Sequence, residues 1–190
     1  MCIFLDNNEK TDYTSQLKES GVYLNNLLKD AEKSDIENLA NAFAEDIKNK
    51  TCVIYGGTGL TELVSSRWKT QINENAKAKA FIGSIPEVHH NEILSWQADK
   101  DGTRDNFIII FLRSPYEHPQ IKKRFELTEK LLGEKVKILN IYPKEQNDKL
   151  KILMELVLLG DLLSIHLAKH LNMVPEDIDT IEELKKLLEG

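Results

Sequence analysis

One carboxylate and two adjacent histidines give residues 67–96 the chemical groups for proton transfer. Glu74 lies before a short apolar segment, and His89 and His90 follow that segment. A carboxylate can act as a general base, and an imidazole exchanges protons close to pH 7. Together they are the minimum set of groups for moving protons on a sugar at neutral pH. Most glutamates are nevertheless solvated surface residues, so residue type alone does not assign a role to Glu74.

The same segment also offers residue types that bind metals, namely Glu87, His89, His90 and Glu92. Neighbouring residues on a helix point about 100° apart, so adjacent histidines chelate one ion poorly. Glu87-x-x-His90 resembles half of a bundle-type di-iron site, but the sequence lacks the second copy of that motif. We therefore expect no metal site here. The alternative for His89 is a packed or capping histidine, and we assign it no chemical role.

Four short apolar segments recur at a nearly constant interval, starting 26, 29 and 29 residues apart. They cover residues 52–55, 78–85, 107–112 and 136–141. Helical patterns follow the first, third and fourth segments, at Thr61–Lys77, His118–Leu132 and Leu150–Leu171. Alternation of this kind predicts βαβ units and a mainly parallel sheet. Trp68 and Ile72 are four residues apart, and we expect both to face that sheet.

The first 49 residues have a different pattern, with two amphipathic helices predicted at Tyr13–Asp30 and Ser34–Asn49. Ser34 followed by Glu37 is a capping box, and the same signature at Thr180 predicts that a last helix begins near that residue. We therefore predict an α/β fold, a three-layer sandwich with a mainly parallel sheet at 50–190. A helical N-terminal extension at 1–49 precedes it.

Composition excludes several classes of protein. The net charge of −6 argues against a nucleic-acid surface, which would show as a basic patch. No apolar run approaches the roughly 20 residues of a membrane helix, and the apolar opening of the chain is too short for a signal peptide. Cys2 and Cys52 are the only cysteines and form no CxxC motif, which predicts a reducing, cytoplasmic setting.

From about Lys50 to the end, the chain resembles the C-terminal half of the bifunctional phosphoglucose/phosphomannose isomerases, which consist of two tandem sugar isomerase (SIS) domains. The matching segments are VIYGGTGL, TELVSSRWKTQINENAK, IPEVHHNEILSW, LRSPYEHPQIKKRFELTEKLL and LGDLLSIHLAKHLNMVPEDIDTIEELKKLL. The combination of ENAK with PEVHHNE is specific, whereas either motif alone is weak. The resemblance covers about three quarters of the chain and implies the SIS fold.

The resemblance also implies roles for two of the residues above. Glu74 matches the family's base, which moves a proton between neighbouring carbons of the sugar through an enediol. His90 matches the histidine that opens the sugar ring, and in the family this histidine comes from the neighbouring subunit. A homodimer is therefore implied, or a pair with another SIS domain. This chemistry requires no cofactor.

Three further candidates are weaker. Lys185 matches a family lysine that assists ring opening and stabilises the oxygen at the reacting end, with Lys186 as the adjacent alternative. Ion pairing on a helix surface is the competing explanation for both lysines. Gly57 and Thr58 lie in a strand-to-helix loop that is near the substrate in the family. A tight turn without a ligand is the commoner explanation for such a loop, which matches neither the Walker nor the GxGxxG pattern.

The chain departs from the family in one respect that leaves three hypotheses open. The serine- and threonine-rich loops of the family's first SIS domain, which hold the sugar phosphate, have no match here. The first hypothesis is an aldose–ketose isomerase that interconverts glucose 6-phosphate or mannose 6-phosphate with fructose 6-phosphate. The second is a non-catalytic SIS module that binds a sugar phosphate or pairs with a separate SIS chain. The third hypothesis is a fragment or split product completed by a separate first domain. The sequence does not distinguish glucose from mannose preference.

Overall fold

The computed structural model describes residues 12–29, 34–97 and 102–189 of the 190-residue chain. Its sheet has four parallel strands in the order β2-β1-β3-β4. The strands are β1 Thr51–Gly57, β2 Ala80–Ile85, β3 Phe107–Leu112 and β4 Ile138–Ile141. Each strand overlaps one of the predicted apolar segments, so the mainly parallel sheet is confirmed.

The helices cover both faces of this sheet, which confirms the three-layer architecture. They are α1 Tyr13–Leu27, α2 Asp35–Ile47, α3 Leu60–Ala76, α4 Pro119–Leu132, α5 Lys149–His170 and α6 Asp179–Glu189. The link from β2 to β3 contains no α-helix among its described residues. It contains three short 3₁₀ turns, at Glu87–His89, Glu92–Trp96 and Thr103–Asn106.

Alternating side chains divide the sheet into two faces, as the two-residue period of a strand requires. Ile54 and Ile110 point to the first face, which α3 and α5 cover. Tyr55 and Phe111 point to the second face, which α4 and the first two 3₁₀ turns cover. Each face has its own cluster of buried side chains. Trp68, fully buried on α3, belongs to the first cluster, as predicted.

The N-terminal helices pack against the same core as the sheet. Ile36, Ala40, Ala44 and Ile47 place one face of α2 in the first cluster, against α5. The α1 helix is held to α5 by the hydroxyl of Tyr23, which donates to the buried Glu155 carboxylate at 2.6 Å. The helical extension is therefore observed as helices, and its boundary as a domain at residue 49 stays a prediction.

One of the two predicted helix caps is present. The Ser34 hydroxyl accepts a hydrogen bond from the backbone N–H of Glu37 at 3.2 Å, at the start of α2. The last helix, α6, begins at Asp179, so its predicted start near Thr180 is confirmed, although Thr180 lies inside the helix and is not its cap. Within the described ranges, no helix has both the length and the apolar content required to cross a membrane.

Candidate active site

Glu74 lies near the end of α3 on the wall of an open cleft. The helix ends at Ala76, because Lys77 adopts a left-handed backbone with φ 54°. The Glu74 side chain is exposed, and the cleft beside it has a volume of about 640 Å³. The cleft is lined by Thr70, Asn73, Glu74 and Lys77 from the end of α3 and by residues 177–181 from the start of α6.

The residues around Glu74 hold the helix end in place. The Asn73 amide donates to the carbonyl of Ala78 at 2.8 Å, and the Asn75 amide donates to the Ser164 hydroxyl of α5 at 2.8 Å. Lys77 donates from its ammonium group to the carbonyl oxygens of Glu74 (2.7 Å) and Pro175 (3.1 Å). The two asparagines of the Asn-Glu-Asn sequence therefore anchor the backbone, while the carboxylate between them faces the cleft.

His90 lies on the surface directly after the first 3₁₀ turn. Its backbone N–H donates to the carbonyl of Glu87 at 3.0 Å, and its side chain is exposed. His89 points inward, with Nε2 at 2.7 Å from the Thr128 hydroxyl and Nδ1 at 3.0 Å from the Arg124 guanidinium. Burial lowers the pKa of His89, and the neighbouring Arg124 charge lowers it further. His89 is therefore a packed histidine, which is the alternative that the sequence suggested.

The metal-binding interpretation of this segment finds no geometric support. Glu92 accepts a hydrogen bond from the Tyr55 hydroxyl at 2.6 Å, while His89 contacts α4. In the part of the chain that the structure describes, no three His, Cys, Asp or Glu side chains form a group that could hold an ion.

Glu74 and His90 lie on opposite sides of the sheet. The α3 helix that carries Glu74 packs on the first face through Trp68 and Ile72. The turns on either side of His90 pack on the second face through Val88 and Trp96. Because the sheet lies between them, Glu74 and His90 of one chain do not line a common cleft. The structure thus brings Glu74 together with the start of α6 and leaves His90 on the other side.

Lys185 is exposed on α6, and it is not among the residues that line the Glu74 cleft. The first turn of the same helix does line the cleft, through Asp179, Thr180 and Ile181. The apolar side chains of α6 beyond that turn are also exposed, from Leu184 at 56% to Leu188 at 77%. Helix α6 therefore begins at the cleft and presents an apolar row, without a described partner, along its length.

Gly57 is the last residue of β1 and Thr58 begins the loop after it, and the backbone N–H groups of both donate within the chain. The N–H of Gly57 donates to the Thr61 hydroxyl at 2.9 Å, and the N–H and hydroxyl of Thr58 both donate to the carbonyl of Ile85, at 3.0 and 2.9 Å. The adjoining space between β1 and β3 is only about 20 Å³. The crevice at a change of strand order is the usual ligand position in such sheets. Here it has room for about one water molecule.

Comparison with known proteins shows which family the chain matches. Residues 36–188 match the family described as the bacterial phospho-glucose isomerase C-terminal SIS domain. The chain belongs to this family. The family predicted from the ENAK and PEVHHNE motifs is therefore confirmed, and the match begins inside the predicted N-terminal extension.

Two curated relatives are longer than the region in which this chain matches them. The chain is 32% identical over 169 residues to the bifunctional phosphoglucose/phosphomannose isomerase of Aquifex aeolicus, covering 85% of this chain and 51% of the relative. It is 35% identical over 135 residues to the protein of the same name from Thermoplasma volcanium, covering 70% and 41%. The chain spans about half the length of the curated relatives it matches.

A solved structure supports the fold at the scale of a single SIS domain. The c3406 protein of Escherichia coli CFT073 superposes with a TM-score of 0.62 and 11% sequence identity. The match covers 90% of this chain and 97% of that chain. At this identity the likeness concerns the fold alone, and the coverage of both chains shows that they are of comparable length.

Arg113 and Glu117, to which no sequence motif assigns a role, together fill the carboxyl end of the sheet. Arg113 follows β3 directly and donates from Nε and Nη2 to the two oxygens of Glu117, both at 2.8 Å. The guanidinium also lies 4.4 Å from the centre of the Phe125 ring, and both charged side chains are at least 95% buried. The sequence signal for this ion pair is an arginine at the end of a buried strand, followed by a glutamate four residues later.

Proposed function

We propose that the chain is the proton-transferring part of an aldose–ketose isomerase. It would act on glucose 6-phosphate or mannose 6-phosphate and on fructose 6-phosphate. Glu74 takes a proton from the carbon beside the carbonyl and returns it to the neighbouring carbon, with an enediol between the two steps. The ring is first opened by His90 of a second chain, which moves a proton from the anomeric hydroxyl to the ring oxygen. Family membership supports the reaction class, and the geometry supports the division of labour.

The observation that carries this proposal is the position of Glu74 in a cleft of about 640 Å³. Small-molecule sites have volumes of roughly 300–1,000 Å³, so the cleft accommodates a hexose phosphate. The two asparagines beside Glu74 hold the backbone of the helix end, so the carboxylate has a defined place on the cleft wall. A general base needs this fixed approach to the proton that it removes.

The opposite positions of Glu74 and His90 support a site formed by two chains. A His90 imidazole cannot pass through the sheet of its own chain to reach the Glu74 cleft. The exposed side chain of His90 is free to enter the cleft of another protomer. Lys185 belongs to the same proposal, because α6 begins at the cleft and its ammonium group would stabilise negative charge on the enediolate. Lys185 does not line the cleft, so this role requires that the substrate or a partner chain brings its ammonium group to the reacting oxygen.

Replacement of the proposed base tests the reaction. We expect Glu74→Gln to lower kcat at least about 100-fold, as general bases contribute about 10²–10⁴-fold, while the circular dichroism spectrum stays unchanged. Glu126→Gln is the matched control, because Glu126 is also an exposed helical glutamate and lies on α4, away from the cleft. Activity is measured by coupling glucose 6-phosphate formation from fructose 6-phosphate to a dehydrogenase. Full activity of Glu74→Gln would refute the role of Glu74.

The space between β1 and β3 favours a second candidate function, a non-catalytic SIS module. The crevice there holds only about 20 Å³, and the amides of Gly57 and Thr58 already donate within the chain. A phosphate group would therefore have to be held elsewhere, by another SIS domain. Calorimetric titration of the chain with fructose 6-phosphate distinguishes the candidates. Binding without turnover supports the module, turnover supports the isomerase, and activity that appears only with an added second SIS chain supports a split enzyme.

A further inference from the structure

The segment that carries His90 is pressed against the sheet more closely than a surface loop would be. After β2 the chain turns back over its own strand, and Val88 becomes buried against Gly83. A Cβ atom added to Gly83 would lie 2.5 Å from Val88 Cγ1 and 2.8 Å from the Tyr55 ring. Only a residue without a side chain permits this approach, so Gly83 allows the segment to pack directly on the strand.

His89 fixes this segment to α4 through a closed set of hydrogen bonds. Arginine has donors and no acceptor, so the contact of 3.0 Å from Arg124 requires that His89 Nδ1 accepts. The proton of the neutral ring is then on Nε2, which donates to the hydroxyl of the buried Thr128 at 2.7 Å. That hydroxyl donates in turn to the carbonyl of Arg124 at 2.7 Å. One neutral tautomer of His89 satisfies all three contacts.

A second set of hydrogen bonds holds the segment two residues after His90. The buried Tyr55 hydroxyl donates to Glu92 at 2.6 Å and accepts from the indole N–H of Trp96 at 3.0 Å. His90 lies between these two attachments and points outward. Among the described residues, no side-chain hydrogen bond to His90 itself is present. The direction in which the imidazole leaves the surface therefore depends on the backbone held on each side of it.

We propose that His89 is a positioning residue for His90, holding its backbone so that the imidazole projects at a fixed angle towards a second chain. This inference depends on the ring-opening role proposed for His90. A displacement of about 1 Å in a reacting group can slow a reaction about 100-fold, so a fixed backbone at this position matters for rate. Burial and the Arg124 charge lower the pKa of His89. His89 therefore stays neutral near pH 7, where the proposed ring opening takes place, and keeps the tautomer that its hydrogen bonds to Arg124 and Thr128 require.

Substrates with and without a closed ring separate positioning from general damage. With fructose 6-phosphate, we expect His89→Ala to lower kcat about 10- to 100-fold with little change in KM. With a four-carbon aldose 4-phosphate, whose phosphorylated O4 leaves no hydroxyl that can close a five- or six-membered ring, the same variant should keep its rate of proton transfer. His89→Gln supplies an amide donor and a carbonyl acceptor and should restore most of the rate. His170→Ala is the control, as it removes a histidine on the opposite face. Equal losses with both substrates, or no loss with either, would overturn the proposal.

Nuclear magnetic resonance of the free chain tests the attachment without relying on activity. In ¹⁵N relaxation measurements, we expect the amides of His90 and Asn91 to be as rigid as those of the strands. His89→Ala should make both amides mobile, and His170→Ala should leave them rigid. Unchanged rigidity in His89→Ala would overturn the positioning role, whatever the activity. An inactive wild-type chain with the expected change in mobility would instead count against the proposed function and leave the attachment supported.

Discussion

Replacement of Gly160 by alanine has two effects of opposite sign on stability, a gain in helix propensity and a steric clash with Trp68. Gly160 lies in the middle of α5, where glycine costs about 1 kcal/mol relative to alanine, so helix propensity alone predicts a more stable protein. The structure predicts the opposite. A Cβ atom on residue 160 would lie 2.4 Å from Nε1 and 2.5 Å from Cδ1 of Trp68, which is fully buried.

The cost of moving Trp68 determines the net sign. Overpacking a core typically costs about 1–3 kcal/mol. The indole N–H donates to the carbonyl of Leu156 at 2.7 Å, and leaving that buried donor unpaired costs about 1–3 kcal/mol more. Against a gain of about 1 kcal/mol from propensity, we expect Gly160→Ala to lower the free energy of unfolding by about 1–5 kcal/mol.

Urea denaturation followed by circular dichroism measures this change, and Gly21→Ala provides the matched control. Gly21 lies in the middle of α1, and a Cβ atom there meets nothing within 4 Å. We expect Gly21→Ala to stabilise the protein by about 0.5–1 kcal/mol. If Gly160→Ala were as stable as wild type or stabilised as Gly21→Ala is, the close packing of α5 against Trp68 would be refuted.

Three further predictions concern the buried polar groups. Arg113→Met should destabilise the protein by about 3–5 kcal/mol, because it leaves the charge of Glu117 buried without a partner. The double variant Arg113→Met/Glu117→Leu should lose less stability. A comparable loss in both variants would contradict the buried pair. Burial raises the pKa of the Cys52 thiol to about 12, so in a Cys2→Ser protein it should react with a thiol reagent at pH 8 only after unfolding. The folded state lowers the pKa of His89, so the unfolded state binds more protons below about pH 6.5. Stability relative to His89→Gln should therefore fall as the pH is lowered through that value, and parallel pH profiles would contradict this.

The strands and helices were predictable because their signals are local. β3 coincides with the predicted segment 107–112, since six consecutive apolar residues are typical of a strand covered on both faces. β1 extends two residues beyond the predicted 52–55. Gly56 and Gly57 continue its pairing with β2, but glycine has no side chain and therefore adds nothing to an apolar pattern. β4 begins at Ile138 and not at 136, although Val136 is buried, because burial alone does not place a residue in a ladder.

The arrangement of the candidate site was less predictable. The sequence places Glu74 and His90 on either side of a strand but does not show on which face each one packs. That depends on α3 covering one face while the chain after β2 turns back over the other. The attachment of His89 to Arg124 and Thr128 depends on side chains 35 and 39 residues away, which no local pattern reports. The buried partnership of Arg113 with Glu117 also needed the tertiary structure.

A mixing experiment tests most directly whether one catalytic site takes its groups from two chains. Glu74→Gln and His90→Gln proteins are purified separately, shown to be folded and inactive, and then unfolded together and refolded. Random pairing into dimers makes half of them mixed, and each mixed dimer has one site with both native groups, so about a quarter of wild-type activity is expected. Activity that stays at the level of the separate variants, although mixed dimers form, would contradict a site built from Glu74 of one protomer and His90 of its partner.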